Sequence, residues 1–228
     1  MRIVLLGPPG AGKGTQASVL SDKFGATVVS ASSLLKAIDP RTALGQEIKS
    51  VQEAGGMVKD DIVVQLISQR LDLPDCKNGF ILDGFPRNLV QAELLEKMLQ
   101  QKGMKLDAVV QLSVDDNKLV ERVSGRFSCA DCGEGYHDKF KKPHDPHACD
   151  ECGAKDSFVR RADDNPETMR NRLNVYYKET AAIIPFYQQR GLLKTVDGMR
   201  NVDDVSRALV ALFLPPPKRH ETPKPPGL

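Results

Sequence analysis

The sequence predicts a three-layer α/β fold with a central parallel sheet, organised around a glycine-rich loop at residues 7–15. The apolar run 2–6 precedes this loop and a segment with helical spacing, 15–24, follows it, so strand, loop and helix succeed one another. Further along, short apolar runs alternate with amphipathic segments. This alternation is typical of a parallel sheet that is covered by helices on both faces.

The glycine-rich loop reads GPPGAGKGT and indicates a phosphate-binding site. Its glycines allow the backbone to curl so that several N–H groups point inward, and the following helix adds positive potential at its N-terminus. Lys13 is placed to reach the outer phosphates of a nucleotide, and Thr15 offers a hydroxyl to a magnesium ion. The general pattern has this hydroxyl directly after the lysine, whereas Gly14 intervenes here.

The remaining core elements follow from the same patterns. Strands are expected at 26–29, 80–83, 108–112 and 192–196, and helices at 62–71, 91–101, 118–124, 166–178 and 202–214. Residues 30–59 form a small helical insert, with one helix from about Leu34 and another over 42–54. Asp60 and Asp61 are expected to cap the helix at 62–71. Asp83 ends its strand at the ligand edge of the sheet, where it is the candidate to hold the hydration shell of magnesium near Thr15.

Composition restricts the class of protein. The chain has 228 residues, 27% of them charged, and a net charge of +2, which suits one globular domain and favours neither nucleic acid nor a membrane as partner. No run is long and apolar enough to span a bilayer, and we expect no signal peptide. A cytoplasmic location is predicted, and residues 215–228 form a flexible, proline-rich tail.

Four of the five cysteines form the pattern C-x2-C-x16-C-x2-C, at Cys129, Cys132, Cys149 and Cys152. Two such pairs supply the tetrahedral thiolate set of a structural zinc site, which iron could also occupy. The polar segment between the pairs has too few large apolar residues for a core of its own, so a bound metal would stabilise it. A redox pair is the less favoured alternative, and the near-neutral charge disfavours a nucleic-acid-binding ribbon.

Taken together, these motifs resemble those of adenylate kinases with a long, zinc-bearing lid, over about residues 1–214. The resemblance rests on the glycine loop, LDGFPR at 82–87, RVSGR at 122–126, the cysteine pairs, and RADD at 161–164 followed by Arg170 and Arg172. It implies a monomeric, magnesium-dependent enzyme that converts ATP and AMP into two ADP. The implied core comprises 1–29, 60–122 and 161–214, with a monophosphate-binding insert at 30–59 and a lid at 123–160.

The resemblance also implies residue roles. ATP would contact Gly10, Ala11, Gly12, Lys13, Gly14, Thr15, Arg122, Arg126, Tyr136, His137 and Arg200. AMP would contact Ala31, Lys36, Val58, Gly84, Arg87, Gln91, Arg161 and Arg172. The catalytic groups would be Lys13, Arg87, Arg126, Arg161 and Arg172, with Thr15 and Asp83 beside magnesium. Asp163 and Asp164 resemble an acidic pair next to the lid hinge.

The start of the insert departs from the family pattern of Ser-Thr-Gly-Asp, two apolar residues and Arg. Here residues 30–36 read SASSLLK. Ala31 removes a hydroxyl and resembles kinases of UMP and CMP, while Lys36 keeps a charge but loses the two-pronged geometry of arginine. Weaker monophosphate binding is expected, and the base preference stays open. A kinase that prefers UMP or CMP, or a nucleotide-binding protein with weakened catalysis, are the alternatives.

Overall fold

The computed structural model describes residues 1–54, 56–160 and 166–214, without the side chains of residues 116, 117, 121, 122 and 166. The strands are β1 (Arg2–Leu6), β2 (Thr27–Ser30), β3 (Phe80–Asp83), β4 (Ala108–Ser113), β5 (Arg126–Cys129), β6 (Gly135–His137), β7 (Phe158–Val159) and β8 (Leu193–Asp197). The helices are α1 (Lys13–Phe24), α2 (Ala31–Lys36), α3 (Ala43–Glu53), α4 (Asp60–Leu71), α5 (Leu89–Gln101), α6 (Asp116–Ser124), α7 (Pro166–Val175), α8 (Ile183–Gln189) and α9 (Val202–Ala211).

The central sheet has the strand order β2-β3-β1-β4-β8, and all its strand pairs are parallel. The predicted parallel sheet is therefore confirmed. Leu5 of β1 lies in register with Asp83 of β3 and Val110 of β4. The glycine loop leaves the sheet from β1, so this register places it directly beside the carboxyl end of β3.

Alternating side chains of the strands supply two apolar cores, one on each face of the sheet. Val4 and Leu82 pack with residues of α4, α5 and α8 on one face. Ile3 and Ile81 pack with α1 and α9 on the other. These strand residues are fully buried, which explains why the core strands are apolar runs without polar alternation. The three-layer arrangement is as predicted.

Two segments extend from this core. Helices α2 and α3 lie between β2 and α4, within the predicted insert. A second, antiparallel sheet of order β6-β5-β7 lies between α6 and α7, within the predicted lid. Within the described part of the chain, no helix combines the length and the apolarity that crossing a bilayer requires.

Two helix starts differ from the predictions for reasons that the hydrogen bonds of the structure show. Helix α2 begins at Ala31 instead of near Leu34, because the Ser30 hydroxyl accepts a hydrogen bond from the Ser33 N–H, at 3.4 Å. The prediction that Asp60 caps the next helix was wrong. Lys59 occupies the N-cap of α4 without a side-chain cap, and the Asp60 carboxylate bonds to side chains of another element instead.

Helix α8 was not predicted. Its short sequence, IIPFYQQ, contains a proline, and proline in the interior of a segment argues against a helix when only the sequence is considered. Pro185 is the third residue of α8, however, where its missing N–H costs no intrahelical hydrogen bond. A π-helical turn, Tyr176–Thr180, lies between α7 and α8.

Candidate functional site

The glycine loop joins β1 to α1, and its shape requires glycine at particular positions. Gly10 and Gly12 have φ angles of 82° and 87°, in the left-handed region that side chains other than glycine rarely adopt. A Cβ atom on Gly10 would also lie 2.6 Å from Cγ2 of Val123, on α6. The loop therefore depends on glycine both for its backbone curl and for its contact with α6.

Lys13, the first residue of α1, folds back over the loop. Its Nζ donates hydrogen bonds to the carbonyl oxygens of Gly7 and Pro8, at 2.7 and 3.1 Å. Burial lowers the pKa of Lys13 to about 8; Asp83 opposes this shift, while Arg87 and other nearby guanidinium groups add to it. The positive charge gathered at the mouth of the loop favours the binding of an anion such as a phosphate group.

A cavity of about 410 Å³ lies between the glycine loop and the helical insert. The lining residues include five cationic side chains, those of Lys13, Lys36, Lys49, Arg87 and Arg172. Four of these, all but Lys49, are predicted site residues that lie far apart in the sequence, and Gly84 lines the same cavity. The fold therefore brings four of the predicted phosphate-binding cations to a single space.

Arg87 is held by neighbours on both sides of its backbone. Its N–H donates to Oε1 of Gln91 at 2.8 Å, and its carbonyl accepts from the Thr180 hydroxyl at 2.7 Å. Its Nε donates to the Gly84 carbonyl at 2.9 Å. Burial and then Arg172 lower the pKa of Arg87. Sequence reasoning missed Thr180, because no motif marks this residue and its contact spans almost a hundred positions.

A side pocket shares part of the lining of this cavity and contains the predicted base-binding residues. Ala31, Val58, Gly84 and Gln91 all line it. Gln91 is a buried polar residue, only 1% exposed. The structure thus brings the base-binding and phosphate-binding candidates next to each other, as a bound nucleoside monophosphate requires.

Asp83 and Thr15 lie on the two sides of the loop's end. A Cβ atom on Gly14 would stand 3.8 Å from Oδ2 of Asp83, so the carboxylate faces the loop immediately before Thr15. A carboxylate and a hydroxyl are hard oxygen donors, which suit magnesium and its bound waters. The residues present therefore fit the magnesium that accompanies ATP.

The four cysteines converge on one point in the lid. All four Sγ atoms lie within 4.8 Å of one another. The Sγ atoms of Cys129 and Cys152 are 3.7 Å apart, and those of Cys132 and Cys149 are 3.6 Å apart. A tetrahedral zinc with bonds of about 2.3 Å needs sulfur atoms about 3.8 Å apart. The set fits a structural zinc, and it is too widely spaced for disulfides.

The side chain of Tyr136 packs beside the four cysteines. Its ring is buried and stacks on Phe127, with centroids 5.7 Å apart. Its hydroxyl lies 3.4 Å from Sγ of Cys149 and accepts a hydrogen bond from the Asp150 N–H at 2.8 Å, which leaves its proton for the sulfur. Chiefly for this reason the pKa of Cys149 falls to about 6. The side chain of Tyr136 therefore faces the cysteines.

This geometry gives a first prediction. Tyr136→Phe removes the hydrogen bond to Cys149, and we expect zinc affinity to fall about tenfold or more, as for other groups that orient a metal ligand. The measurement is zinc transfer to a colorimetric chelator. Tyr177→Phe is the matched control, because Tyr177 is exposed and remote from the cysteines in sequence. Equal zinc retention in both variants would contradict the role given to the hydroxyl.

The other predicted site residues are placed as follows. His137 packs its ring against Gly125, and its Nδ1 accepts from the Lys139 N–H at 2.9 Å. Arg126 opens β5 and pairs with His137 across the small sheet. Arg200 follows β8, with its Nε 3.5 Å from Asp197. Arg161, Asp163, Asp164 and the tail 215–228 lie outside the described residues, as does the side chain of Arg122.

Comparison with known proteins agrees with this site. The family model described as adenylate kinase matches residues 5–192. An adenylate kinase of Rhizobium etli is 51% identical over 214 residues, covering 93% of this chain and 99% of the relative. The adenylate kinase of Allorhizobium ampelinum is 50% identical over 207 residues, covering 90% and 95%. That of Magnetococcus marinus is 47% identical over 214 residues, covering 93% and 100%. The chain belongs to the adenylate kinase family.

Proposed function

We propose how this chain, a phosphotransferase that converts ATP and AMP into two molecules of ADP, divides the reaction among its residues. The observation that carries the proposal is the convergence of Lys13, Arg87 and Arg172 on one cavity beside the glycine loop. The loop amides of residues 10–15 and the Lys13 ammonium bind the phosphates of ATP. Arg87 and Lys36 bind the phosphate of AMP, and Arg172 faces the group in transfer.

The chemistry requires positioned cations and no general base. The attacking atom is a phosphate oxygen of AMP, which is already ionised at neutral pH. The barrier is therefore lowered by alignment of the two nucleotides and by positive charge around the transferred phosphoryl group. Arginine suits this task because its fork stays charged and contacts two oxygens at once. Thr15 and Asp83 would hold the magnesium ion that accompanies ATP, through their oxygen atoms and water, and that ion would supply further positive charge to the phosphates.

Two segments complete the site in this proposal. The insert 30–59 closes over AMP, and the lid 123–160 closes over ATP. Both segments move relative to the core, which comprises the rest of residues 1–214. Closure excludes water, which would otherwise accept the phosphoryl group. Arg126 reaches the phosphates from the lid, and we assign Arg122, Arg161, Tyr136, His137 and Arg200 to ATP or the transferred group on the family resemblance.

The base of AMP lies against the lining of the side pocket in this proposal, where that pocket meets the main cavity. The walls of the side pocket are apolar at Ala31 and Val58, with Gln91 as a hydrogen-bonding group. Lys36 stands where the family pattern has arginine, and it cannot contact two phosphate oxygens in the bidentate manner of a guanidinium group. This loss raises the KM for AMP without changing the reaction. The proposal also includes a monomer in the cytoplasm that acts on small molecules and not on nucleic acid or membranes. Four free cysteines in an arrangement that could hold a metal ion support a reducing compartment.

The pH dependence of ATP binding tests the role of Lys13. The free enzyme holds this ammonium with a pKa of about 8, and bound phosphate favours the charged form and so raises that pKa. Because binding takes up a proton above pH 8, ATP affinity should be constant below pH 8 and fall about tenfold for each unit above it. Titration calorimetry from pH 6.5 to 9.5 measures this. The same slope in Lys13→Met would contradict the assignment.

A further inference from the structure

The amide of Gln91 is held between two partners of opposite character. Its Nε2 donates to Oδ1 of Asp60 at 2.6 Å, and its Oε1 accepts from the Arg87 N–H at 2.8 Å. The carboxylate of Asp60 can only accept, and the backbone N–H of Arg87 can only donate. Each partner therefore selects one end of the amide.

Asp60 is itself fixed in place. Its two oxygens accept from Nδ2 of Asn88 at 2.9 and 3.1 Å. Asn88 in turn uses its Oδ1 to accept from the Gln91 N–H at 2.8 Å, as the N-cap of α5. The carboxylate cannot turn away from Gln91 without breaking this second pair of bonds. In a flipped Gln91, the amide oxygen would face the Asp60 carboxylate, which is also an acceptor, and the amide nitrogen would face the Arg87 N–H, which is also a donor. The amide therefore has one stable orientation.

An amide in one orientation presents a directional pattern to the side pocket. Among the described residues, Gln91 has one further N–H and one further lone pair beyond those bonded to Asp60 and Arg87. A donor beside an acceptor matches bases that carry an amino group next to an unprotonated ring nitrogen, as adenine and cytosine do. Hypoxanthine, guanine and uracil present a carbonyl next to a protonated nitrogen, so they need the flipped amide.

We propose that Asp60 is a positioning residue for base selection, which locks Gln91 so that the site accepts amino bases and rejects keto bases. This inference rests on the proposed placement of the AMP base beside Gln91. Because Ala31 offers no hydroxyl to the base, discrimination depends the more on the orientation of this amide. A keto base would leave buried polar groups unpaired, which is a strong basis for rejection.

The test compares AMP with IMP, which differ only at the amino group and the adjacent nitrogen. Asp60→Asn replaces a carboxylate that can only accept by a neutral amide whose nitrogen donates, so the preference for one orientation of Gln91 is weakened. We expect the ratio of kcat/KM for AMP to that for IMP to fall at least tenfold, and the ratio for CMP over UMP to fall in the same direction. Both nucleotides are measured on one preparation, so an unfolded fraction does not alter the ratio. Asp60→Ser repeats the test with a hydroxyl that also donates or accepts.

Asp61→Asn is the matched control, because the Asp61 carboxylate accepts from the adjacent Ile62 N–H at 2.9 Å and is exposed. This variant should leave the ratio of kcat/KM for AMP to that for IMP unchanged. An unchanged ratio in Asp60→Asn, with a raised KM for AMP in Gln91→Ala, would overturn the inference and leave the base contact in place. An unchanged KM for AMP in Gln91→Ala would overturn the base contact itself, and with it the inference.

Discussion

Replacing Arg87 by alanine is expected to lower kcat/KM for AMP about a thousandfold while the affinity for ATP changes little. Two hydrogen bonds from a guanidinium to a phosphate contribute about 1.5–3 kcal/mol each, and every 1.4 kcal/mol is a factor of ten. Arg87 is also fixed before AMP arrives, through Gln91, Thr180 and Gly84. Its loss therefore removes a cation that needs no reorganisation to act.

Arg41→Ala is the control for Arg87→Ala. Arg41 belongs to the insert, but its side chain is 88% exposed and pairs with Asp39. Surface pairs of this kind contribute little, so this variant should keep wild-type kinetics. Initial rates with AMP varied, together with calorimetric titration of ATP, separate the two effects. An equal loss of ATP affinity in Arg87→Ala would contradict the assignment of this residue to AMP rather than to ATP.

Removal of the metal is expected to unfold the lid and abolish most of the turnover. The buried cluster of the lid consists of Cys129, Tyr136 and Cys149, with Phe127 and Phe158 among the partly buried residues against it. So small a core does not stabilise a domain, whereas structural zinc contributes about 10–16 kcal/mol of apparent binding free energy. Arg126 begins the central strand of this sheet, so it would lose its position when the sheet melts.

The measurement is metal content by mass spectrometry, with thermal melting in the presence and absence of chelator. Cys132→Ser should lose the metal and give a new transition at low temperature. Cys76→Ser should keep one equivalent of metal, because Cys76 is buried in the core and outside the cluster. If the purified protein contains no metal and its melting temperature does not change with chelator, the prediction of a structural metal in the lid is contradicted.

Local patterns were sufficient for the core of the fold. The apolar runs and the glycine loop predicted the parallel sheet and the position of Lys13, because strand burial and loop curl depend on neighbouring residues. Helix α8 could not be predicted in this way, since Pro185 disfavours a helix except in its first turn. The capping role given to Asp60 failed for a related reason, because a distant Gln91 competes for its carboxylate.

The candidate site was predictable only as far as its motifs reach. Cysteine spacing and the arginines of the family motifs identified the groups that carry charge or bind metal. The groups that orient them are Thr180 beside Arg87, Asp60 beside Gln91 and Tyr136 beside Cys149. Each of these contacts joins residues that are 13 to 93 positions apart, so no local spacing marks them.

The proposed function is tested most directly by a steady-state assay with magnesium–ATP as donor and AMP, CMP, UMP and GMP each as acceptor. We predict that AMP has the highest kcat/KM, that its KM reflects the single-pronged Lys36, and that CMP exceeds UMP. Preference for UMP over AMP would contradict the directional pairing at Gln91. Failure of a folded, metal-loaded sample to phosphorylate any of the four would contradict the assignment of the cationic cavity to phosphoryl transfer.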